Sequence, residues 1–268
     1  MAIYLTGGSG YLGGEIVRSL ALDKLAEDKK VLVPVREKRG KSGQERFESI
    51  FRGGGNPHKH TQWIDPAAPI PDETEVVILN AFDVAFHTDI ARVLRESVAP
   101  MLALLEQCTQ LRAKGNLKKV VIVSTAYVQP PIPFRRCDGP ITPFNGAADP
   151  WGTYSQILNG EMVWQDLVDD PRSDTHSTTN AYIYAKTLME HLIATMNELP
   201  RTTIVRPSVI GPSSDGERGN LASPGCASVR LMSTPIGRFV PSSGCESAKS
   251  HTHTLRQRNT FCRTSTVP

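Results

Sequence analysis

The chain has 268 residues, of which 39% are hydrophobic and 21% are charged, and these fractions are typical of a globular protein with a normal core. Its net charge is +3, and its basic residues are scattered over most of the chain. This distribution argues against a nucleic-acid partner and favours a small, phosphate-bearing ligand. The five cysteines form no Cys-x-x-Cys pair, which argues against a disulfide framework or a zinc site.

Neither a signal peptide nor a membrane-spanning helix is predicted. The first apolar stretch, Ala2–Leu5, gives way at once to the polar and glycine-rich Thr6–Gly10, so it cannot form the apolar core of a signal peptide. No other apolar run approaches the roughly 20 residues that a helix needs to cross a bilayer. We therefore expect a cytoplasmic protein that acts on a small-molecule substrate.

Apolar runs alternate with helical patterns, which predicts an α/β fold with a Rossmann-type, doubly wound parallel sheet and helices on both faces. The expected strands are Ala2–Leu5, Val31–Val35, Val76–Leu79, Lys119–Val123 and Thr202–Val205. The expected helices are Glu15–Ala26, Ile90–Leu111 and Tyr182–Asn197. Together they predict one α/β domain over residues 1–222.

Two regions lie outside this alternation. Residues 130–179 begin with a stretch that holds six prolines, and they predict a long insertion that is either a cover over the substrate or a plain surface excursion. Residues 223–268 are rich in Ser, Thr, Pro, His and Arg and lack a periodic apolar pattern. They predict an irregular, disordered tail.

A glycine-rich turn follows the first strand. Residues 6–13 read TGGSGYLG, which gives the spacing G-x-x-G-x-x-G between a strand and a helix. Glycines let the backbone approach a pyrophosphate, and the N–H groups at the start of the helix meet its charge. A glycine-rich turn without a ligand is the alternative. The candidate cofactor-binding residues of this turn are Thr6, Gly7, Gly10, Tyr11, Leu12 and Gly13.

The residues after the second strand indicate which dinucleotide is bound. An acidic side chain there binds the ribose 2′-hydroxyl of NAD. Here Val35 is followed by Arg36, and Arg46 lies further along the chain. A guanidinium suits a 2′-phosphate because it binds through paired hydrogen bonds. We therefore expect NADP (NADPH) as the cofactor, with Glu37 as the one residue that argues for NAD.

A Y-x-x-x-K motif places Tyr182 and Lys186 on one face of a helix. A lysine ammonium near a phenol lowers the pKa of the tyrosine, which can then deliver a proton to a carbonyl oxygen as hydride arrives. Thr125, with Ser124 as its substitute, ends a predicted strand and can donate a hydrogen bond to the same oxygen. The predicted catalytic residues are Thr125, Tyr182 and Lys186. A surface tyrosine–lysine pair and a strand-end cap are the structural alternatives.

The histidines of the Gly-Pro-rich stretch do not form a predicted metal site. His58 and His60 lie two residues apart, and no carboxylate or cysteine stands near them in the sequence. A zinc site in a protein takes three or four such ligands. We predict no metal.

Four segments, in this order, carry a resemblance to a known family: TGGSGYLG, VVIVSTAYV, NAYIYAKTLME and IVRPSVIGPS. They resemble the extended short-chain dehydrogenase/reductases and, within these, the fatty acyl-CoA reductases of the male-sterility type. The chain is next most similar to the thioester-reductase domains of carboxylate and aminoadipate reductases. The resemblance extends from Met1 to about Ser213.

The resemblance implies an oxidoreductase of lipid metabolism that uses NADPH to reduce a fatty acyl-CoA thioester to an aldehyde or a fatty alcohol. It implies catalytic roles for the three residues predicted above, and phosphate binding by the glycine turn and by Arg36 and Arg46. Family members are often found on lipid-rich membranes, so the resemblance adds membrane association to the expected cytoplasmic location. Further cofactor contacts implied by position are Asn80, Ala81, Pro207, Ser208 and Val209.

The chain departs from the family pattern at several positions. Where the family has His-Asn-Ala-Ala, this chain reads Leu-Asn-Ala-Phe, and Phe82 is expected to crowd the cofactor. Ser97 replaces a helical asparagine of the family, which weakens an expected proton relay. The family also continues well beyond the matching segments, so we expect a truncated chain with an incomplete acyl site. Another extended-type NADP reductase or epimerase, and a non-catalytic NADP-binding module, are the alternative functions.

Overall fold

The computed structural model describes residues 1–22, 28–51, 60–84, 89–128, 149–169, 180–208, 210 and 263–266. The strands found there are β1 (Ala2–Leu5), β2 (Lys30–Pro34), β3 (Thr61–Ile64), β4 (Thr74–Leu79), β5 (Lys119–Val123), β6 (Thr202–Val205) and β7 (Arg263–Thr266). The helices found there are α1 (Tyr11–Leu22), α2 (Gly43–Phe51), α3 (Ile90–Val93), α4 (Ala99–Ala113), α5 (Pro150–Asn159), α6 (Trp164–Asp169) and α7 (Ala181–Thr195). The described residues up to Ser208 and the strand β7 belong to one compact unit.

The strands of the described residues form one sheet in the order β3-β2-β1-β4-β5-β6-β7. All neighbours pair in parallel except β6 and β7, which are antiparallel. The chain runs outward from β1 to β3, then crosses back to β4 on the other side of β1, so the strand order reverses between β1 and β4. In open α/β sheets, ligands bind at the carboxyl ends of the strands beside such a reversal.

Helices cover both faces of the sheet because its central strands are apolar on both sides. All four residues of β1 are buried. On one face, Tyr4 and Leu79 belong to a core cluster with residues of α4 and α7. On the other face, Leu5 belongs to a second cluster with residues of α1 and α2. The predicted Rossmann-type, doubly wound α/β fold is therefore confirmed.

A π-helical turn, Leu94–Val98, joins α3 to α4. Pro100 follows it in the first turn of α4, where a residue without an N–H group is tolerated. The sequence predicted one uninterrupted helix over this region, and the structure differs by this one wide turn. Ser97 lies within this turn, and single π turns in helices are often found at functional sites.

The predicted strands at Ala2–Leu5, Lys119–Val123 and Thr202–Val205 agree residue for residue with β1, β5 and β6. The sequence prediction missed β3 and α2. It also treated residues 149–169 as part of an irregular insertion, whereas they hold α5 and α6. In α5, Ile157 is buried in the main core cluster, so this segment packs as a structural element of the domain. Residues 129–148 and 170–179 of the predicted insertion lie outside the described residues.

The strand β7 lies in the segment that was predicted to be irregular. Its backbone pairs antiparallel with β6, with Val205 opposite Arg263. The sequence prediction was wrong at these four residues because an edge strand gains its hydrogen bonds from the neighbouring backbone and needs no periodic apolar pattern. The remainder of the predicted tail lies outside the described residues. Within the part of the chain that is described, no helix has the length and apolar character needed to cross a membrane.

Candidate active site

The glycine turn between β1 and α1 is shaped by close backbone approaches. Gly7 has a φ of +68°, and a Cβ added to it would come within 2.9 Å of the Cα and N atoms of Ala81. A Cβ on Gly13 would overlap the carbonyl oxygen of Gly7, and one on Gly8 would come within 2.6 Å of a Val33 methyl group. These three positions are therefore required to be glycine by packing. The sequence prediction had not included Gly8.

Gly10 differs from these glycines. It lies at the tip of the turn, is exposed, and a Cβ there would meet only the Gly7 carbonyl oxygen, at 3.3 Å. Tyr11 and Leu12 follow directly and begin α1, a helix of twelve residues. The tip of the turn and the start of α1 are thus accessible together, which is the arrangement that a helix N-terminus needs to receive a phosphate.

Replacement of Gly13 by alanine is expected to lower the free energy of unfolding by about 1–3 kcal/mol, because the added methyl group has no room beside the Gly7 carbonyl. Gly14→Ala is a matched control, since nothing lies within 4 Å of a Cβ at that helical position. It is expected to stabilise the chain by about 0.5–1 kcal/mol. Urea unfolding of both variants tests this, and equal stabilities would contradict the assigned packing role of Gly13.

Thr6 links the glycine turn to the end of β4. Its hydroxyl oxygen accepts hydrogen bonds from the backbone N–H groups of Asn80 at 2.9 Å and Ala81 at 3.0 Å. The side-chain amide of Asn80 donates to the Gly7 carbonyl at 3.4 Å. Four residues predicted to bind the cofactor are thus brought together at the rim of the turn. Their direct contact with a cofactor stays a prediction.

A basic cavity of about 490 Å³ lies beyond the carboxyl end of β2, lined by Lys38, Arg39, Lys41 and Arg46. Lys38 and Lys41 exchange backbone hydrogen bonds across a tight turn in which Arg39 has a φ of 57° and Gly40 a φ of 73°. Two central residues with positive φ are the signature of a type I′ turn. This turn places the side chains of Lys38, Arg39 and Lys41 around the same cavity as Arg46.

The two arginines predicted for the 2′-phosphate are in contact, through the side chain of Arg46 and the backbone of Arg36. The guanidinium of Arg46 donates to the backbone carbonyl of Arg36. Arg46 then faces the cavity, while Arg36 is not one of its lining residues. Lys41, which lines the cavity, was missed by the sequence prediction. Glu37 does not line the cavity.

The structure brings Thr125 and Tyr182 together at the carboxyl end of β5. Thr125 is buried, and its hydroxyl hydrogen-bonds the phenol of Tyr182. Burial raises the pKa of Tyr182 above its ordinary value, and the hydrogen bond to Thr125 acts in the opposite direction. The sequence argument expected Lys186 to lower this pKa. That expectation was wrong for the structure as it stands, because burial dominates and keeps the phenol protonated.

Lys186 lies one turn further along α7 and is only 2% exposed. Its ammonium group donates to the Val123 carbonyl at 2.6 Å. Burial lowers the pKa of Lys186 to about 7, and the nearby Glu190 carboxylate acts in the opposite direction. The structural alternative, a tyrosine–lysine pair on the protein surface, is therefore excluded, since the lysine is part of the core.

Phe82 packs against both members of the Tyr–Lys pair. The centre of its ring lies 3.8 Å from the Lys186 Nζ atom. Its ring centroid is 5.7 Å from that of Tyr182, and the two ring planes are 81° apart, which is an edge-to-face contact. Phe82 thus lies over the catalytic pair predicted from the sequence.

Ser97, the second departure from the family pattern, lies in the π turn and is buried. Its hydroxyl oxygen accepts a hydrogen bond from the backbone N–H of Asp83 at 3.0 Å. Ser97 therefore fixes the backbone just after Phe82.

Ser124 was predicted from the sequence as the substitute for Thr125. Ser124 is buried, and its hydroxyl has no hydrogen-bond partner among the described residues.

A buried ion pair lies behind the site. Arg206 and Glu190 are 3% and 1% exposed, and the guanidinium meets both carboxylate oxygens, with contacts at 3.1, 3.2 and 2.5 Å. The pair joins the end of β6 to α7, one helical turn beyond Lys186. The sequence prediction missed it. A possible signal was the glutamate at the same four-residue spacing that relates Tyr182 to Lys186.

The residues after Arg206 continue along the same edge of the sheet. The Pro207 carbonyl accepts a hydrogen bond from the Ala126 N–H at 2.9 Å, directly after Thr125. Ser208 is exposed. Val209 lies outside the described residues. The predicted contacts of these three residues with the nicotinamide end stay a prediction.

Comparison with known proteins gives matches over most of the chain. The family model described as male sterility protein matches residues 5–71 and 67–235. Fatty acyl-CoA reductase 1 of Rattus norvegicus and that of Homo sapiens are each 28% identical over 233 residues, which cover 79% of this chain and 43% of each relative. The chain thus spans less than half the length of these curated relatives.

Among solved structures, the terminal R domain from the myxalamid PKS-NRPS biosynthetic pathway aligns with a TM-score of 0.50 and 18% sequence identity. The alignment covers 80% of this chain and 50% of that chain. At this level of identity, the likeness concerns the fold, and it agrees with the parallel sheet described above.

Proposed function

Because the chain belongs to the male sterility protein family, as its motifs predicted, we propose that it is an NADPH-dependent oxidoreductase that reduces an acyl thioester. We take fatty acyl-CoA as the substrate class, since the curated relatives are named fatty acyl-CoA reductases. The observation that carries the proposal is the hydrogen bond between the Tyr182 phenol and the buried Thr125 hydroxyl, on the sheet edge that also holds the glycine turn.

The residues at this edge fit a phosphorylated dinucleotide. The accessible turn tip at Gly10 precedes the N-terminus of α1, where a pyrophosphate is favoured. The basic cavity offers ammonium and guanidinium donors without an acidic side chain among its lining residues. This donor set suits a 2′-phosphate. When bound, NADPH supplies the hydride for the reduction.

The chain's own residues supply the proton. In this proposal Thr125 and Tyr182 hold the thioester carbonyl oxygen, and Tyr182 donates its phenolic proton to that oxygen as the carbon is reduced. Lys186, one turn further on the same helix face, binds a ribose hydroxyl of the nicotinamide half of the cofactor in this proposal. The resulting hemithioacetal releases the thiol and leaves an aldehyde, which a second cycle can reduce to the alcohol.

The test is NADPH consumption with palmitoyl-CoA, followed by analysis of the products. We expect oxidation of NADPH that depends on the thioester, with hexadecanal or hexadecanol formed. Nucleotide sugars and other thioesters in the same assay test the alternative of another extended-type reductase or epimerase. Tight NADPH binding without turnover on any of these substrates would establish the second candidate, a non-catalytic NADP-binding module. Phe82 over Lys186 is the observation that favours this candidate.

The basic cavity leads to a prediction about cofactor preference. Lys41→Gln is expected to raise the KM for NADPH by about fivefold, because one charged partner of the 2′-phosphate is lost. The KM for NADH, which has no 2′-phosphate, is expected to stay unchanged. Lys114→Gln is the matched control, since Lys114 pairs with Asp72 and does not line the cavity. An equal rise for both cofactors would reject the cavity as the 2′-phosphate site.

A further inference from the structure

The ring of Phe82 occupies the accessible side of the Lys186 ammonium group. The other contact of that group is the Val123 carbonyl, at 2.6 Å. With the ring face 3.8 Å from Nζ, only 2% of Lys186 is exposed. A ligand hydroxyl therefore cannot reach Nζ while the ring stays where it is.

The backbone on both sides of Phe82 is fixed. The Ala81 N–H donates to the Thr6 hydroxyl at 3.0 Å, and the Asp83 N–H donates to the Ser97 hydroxyl, also at 3.0 Å. Both hydroxyl groups belong to buried residues. Because the backbone is held at both neighbours, uncovering Lys186 requires rotation of the Phe82 side chain and not a shift of the loop.

One side of the ring is partly open to solvent. Phe82 itself is only partly buried, and Ala81 before it and Val84 after it are exposed. Rotation breaks the edge-to-face contact with Tyr182 as well as the contact with the ammonium group. Both contacts are lost when the ring rotates, so the covered state is the stable one in the absence of a ligand.

We propose that Phe82 is a gate over Lys186, which the nicotinamide ribose of the cofactor must displace before its hydroxyl groups can bind the ammonium group. This inference rests on the proposed function, because that function assigns Lys186 to the nicotinamide half of NADPH. Only molecules in which the ring is displaced can bind the whole cofactor. The apparent affinity is therefore the intrinsic affinity multiplied by the fraction of such molecules. The gate leaves the adenine half unaffected, since that half lies at the glycine turn and the basic cavity.

The experiment compares the dissociation constants of NADPH for the wild type, Phe82→Ala and Phe82→Leu, measured by nucleotide fluorescence. Phe82→Ala is expected to bind NADPH about tenfold more tightly, which is the size expected for removal of a partly desolvated cation–π contact. Phe82→Leu keeps an apolar side chain and lacks the aromatic face, so its affinity is expected to lie between the other two. If Phe82→Ala fails to fold in a thermal unfolding control, Phe82→Leu alone decides the question.

Adenosine 2′,5′-bisphosphate, which corresponds to the adenine half of NADP, is the matched ligand control. It is expected to bind all three proteins equally. If it binds equally while NADPH binds no more tightly to either variant than to the wild type, the gate is rejected and the proposed function stands. If neither ligand binds any of the three proteins, the proposed function fails and the gate fails with it.

Discussion

Tyr182→Phe is expected to lower kcat for acyl-thioester reduction by about 10²–10⁴-fold, the usual contribution of a positioned general acid. The substitution removes the phenolic proton and the hydrogen bond with Thr125, and it retains the ring that packs against Phe82. The ordinary pKa of a tyrosine is about 10 and burial raises that of Tyr182 further, so the phenol is protonated at neutral pH and is available as a donor. Steady-state NADPH oxidation with palmitoyl-CoA measures the loss.

Binding of NADPH is expected to survive this substitution. The glycine turn and the basic cavity, which carry the phosphate contacts in our proposal, do not involve Tyr182. Tyr184→Phe is the matched control, because it makes the same chemical change two residues further on the same helix. Tyr184 is buried in the core and packs edge-to-face on Trp164. Equal turnover of wild type and Tyr182→Phe would refute the assigned role of Tyr182.

The central strands were predictable from the sequence because every residue of β1 and every second residue of β5 and β6 is buried. β1, β5 and β6 are apolar or β-branched runs whose ends are set by a change to polar or glycine residues. β3 was not predictable in this way. Its residues Thr61–Ile64 are mostly half-buried at the edge of the parallel strands, so the run has neither a continuous apolar pattern nor a clear alternation.

The helix α5 was missed although its ends carry sequence signals. Asp149 caps its N-terminus, Pro150 is in its first turn, and Gly160 ends it with a φ of 77°. The prolines before it indicated irregular structure, and the sequence prediction extended that irregular structure over residues 130–179. Capping residues describe individual helix ends, so here they were more informative than composition.

The candidate site was predictable where sequence spacing decides the geometry. The four-residue spacing placed Tyr182 and Lys186 on one face of α7, and both lie at the end of β5. The direction of the Tyr182 pKa shift was not predictable, since it depends on burial by residues distant in sequence. The position of Phe82 over Lys186 is likewise a property of the folded chain, although its departure from the family pattern marked it in advance.

Glu190→Gln is expected to lower the free energy of unfolding by about 3–5 kcal/mol, because it removes the carboxylate that pairs with the buried Arg206 guanidinium. The loss is far larger than that from an exposed ion pair, where water replaces the partner. The matched control is Glu96→Gln, which removes the partner of Arg92 on the surface of the π turn. Urea unfolding of both variants is the measurement.

The double variant Glu190→Leu, Arg206→Met separates the cost of an unpaired charge from the value of the pair itself. Apolar side chains of similar volume can replace a buried ion pair with little loss, so the double variant is expected to recover most of the stability lost in Glu190→Gln. Since Glu190 lies one turn from Lys186, its removal also takes away a nearby negative charge that opposes the fall in the Lys186 pKa. A stability loss for Glu190→Gln no greater than that for Glu96→Gln would show that the buried pair does not hold α7 against the end of β6.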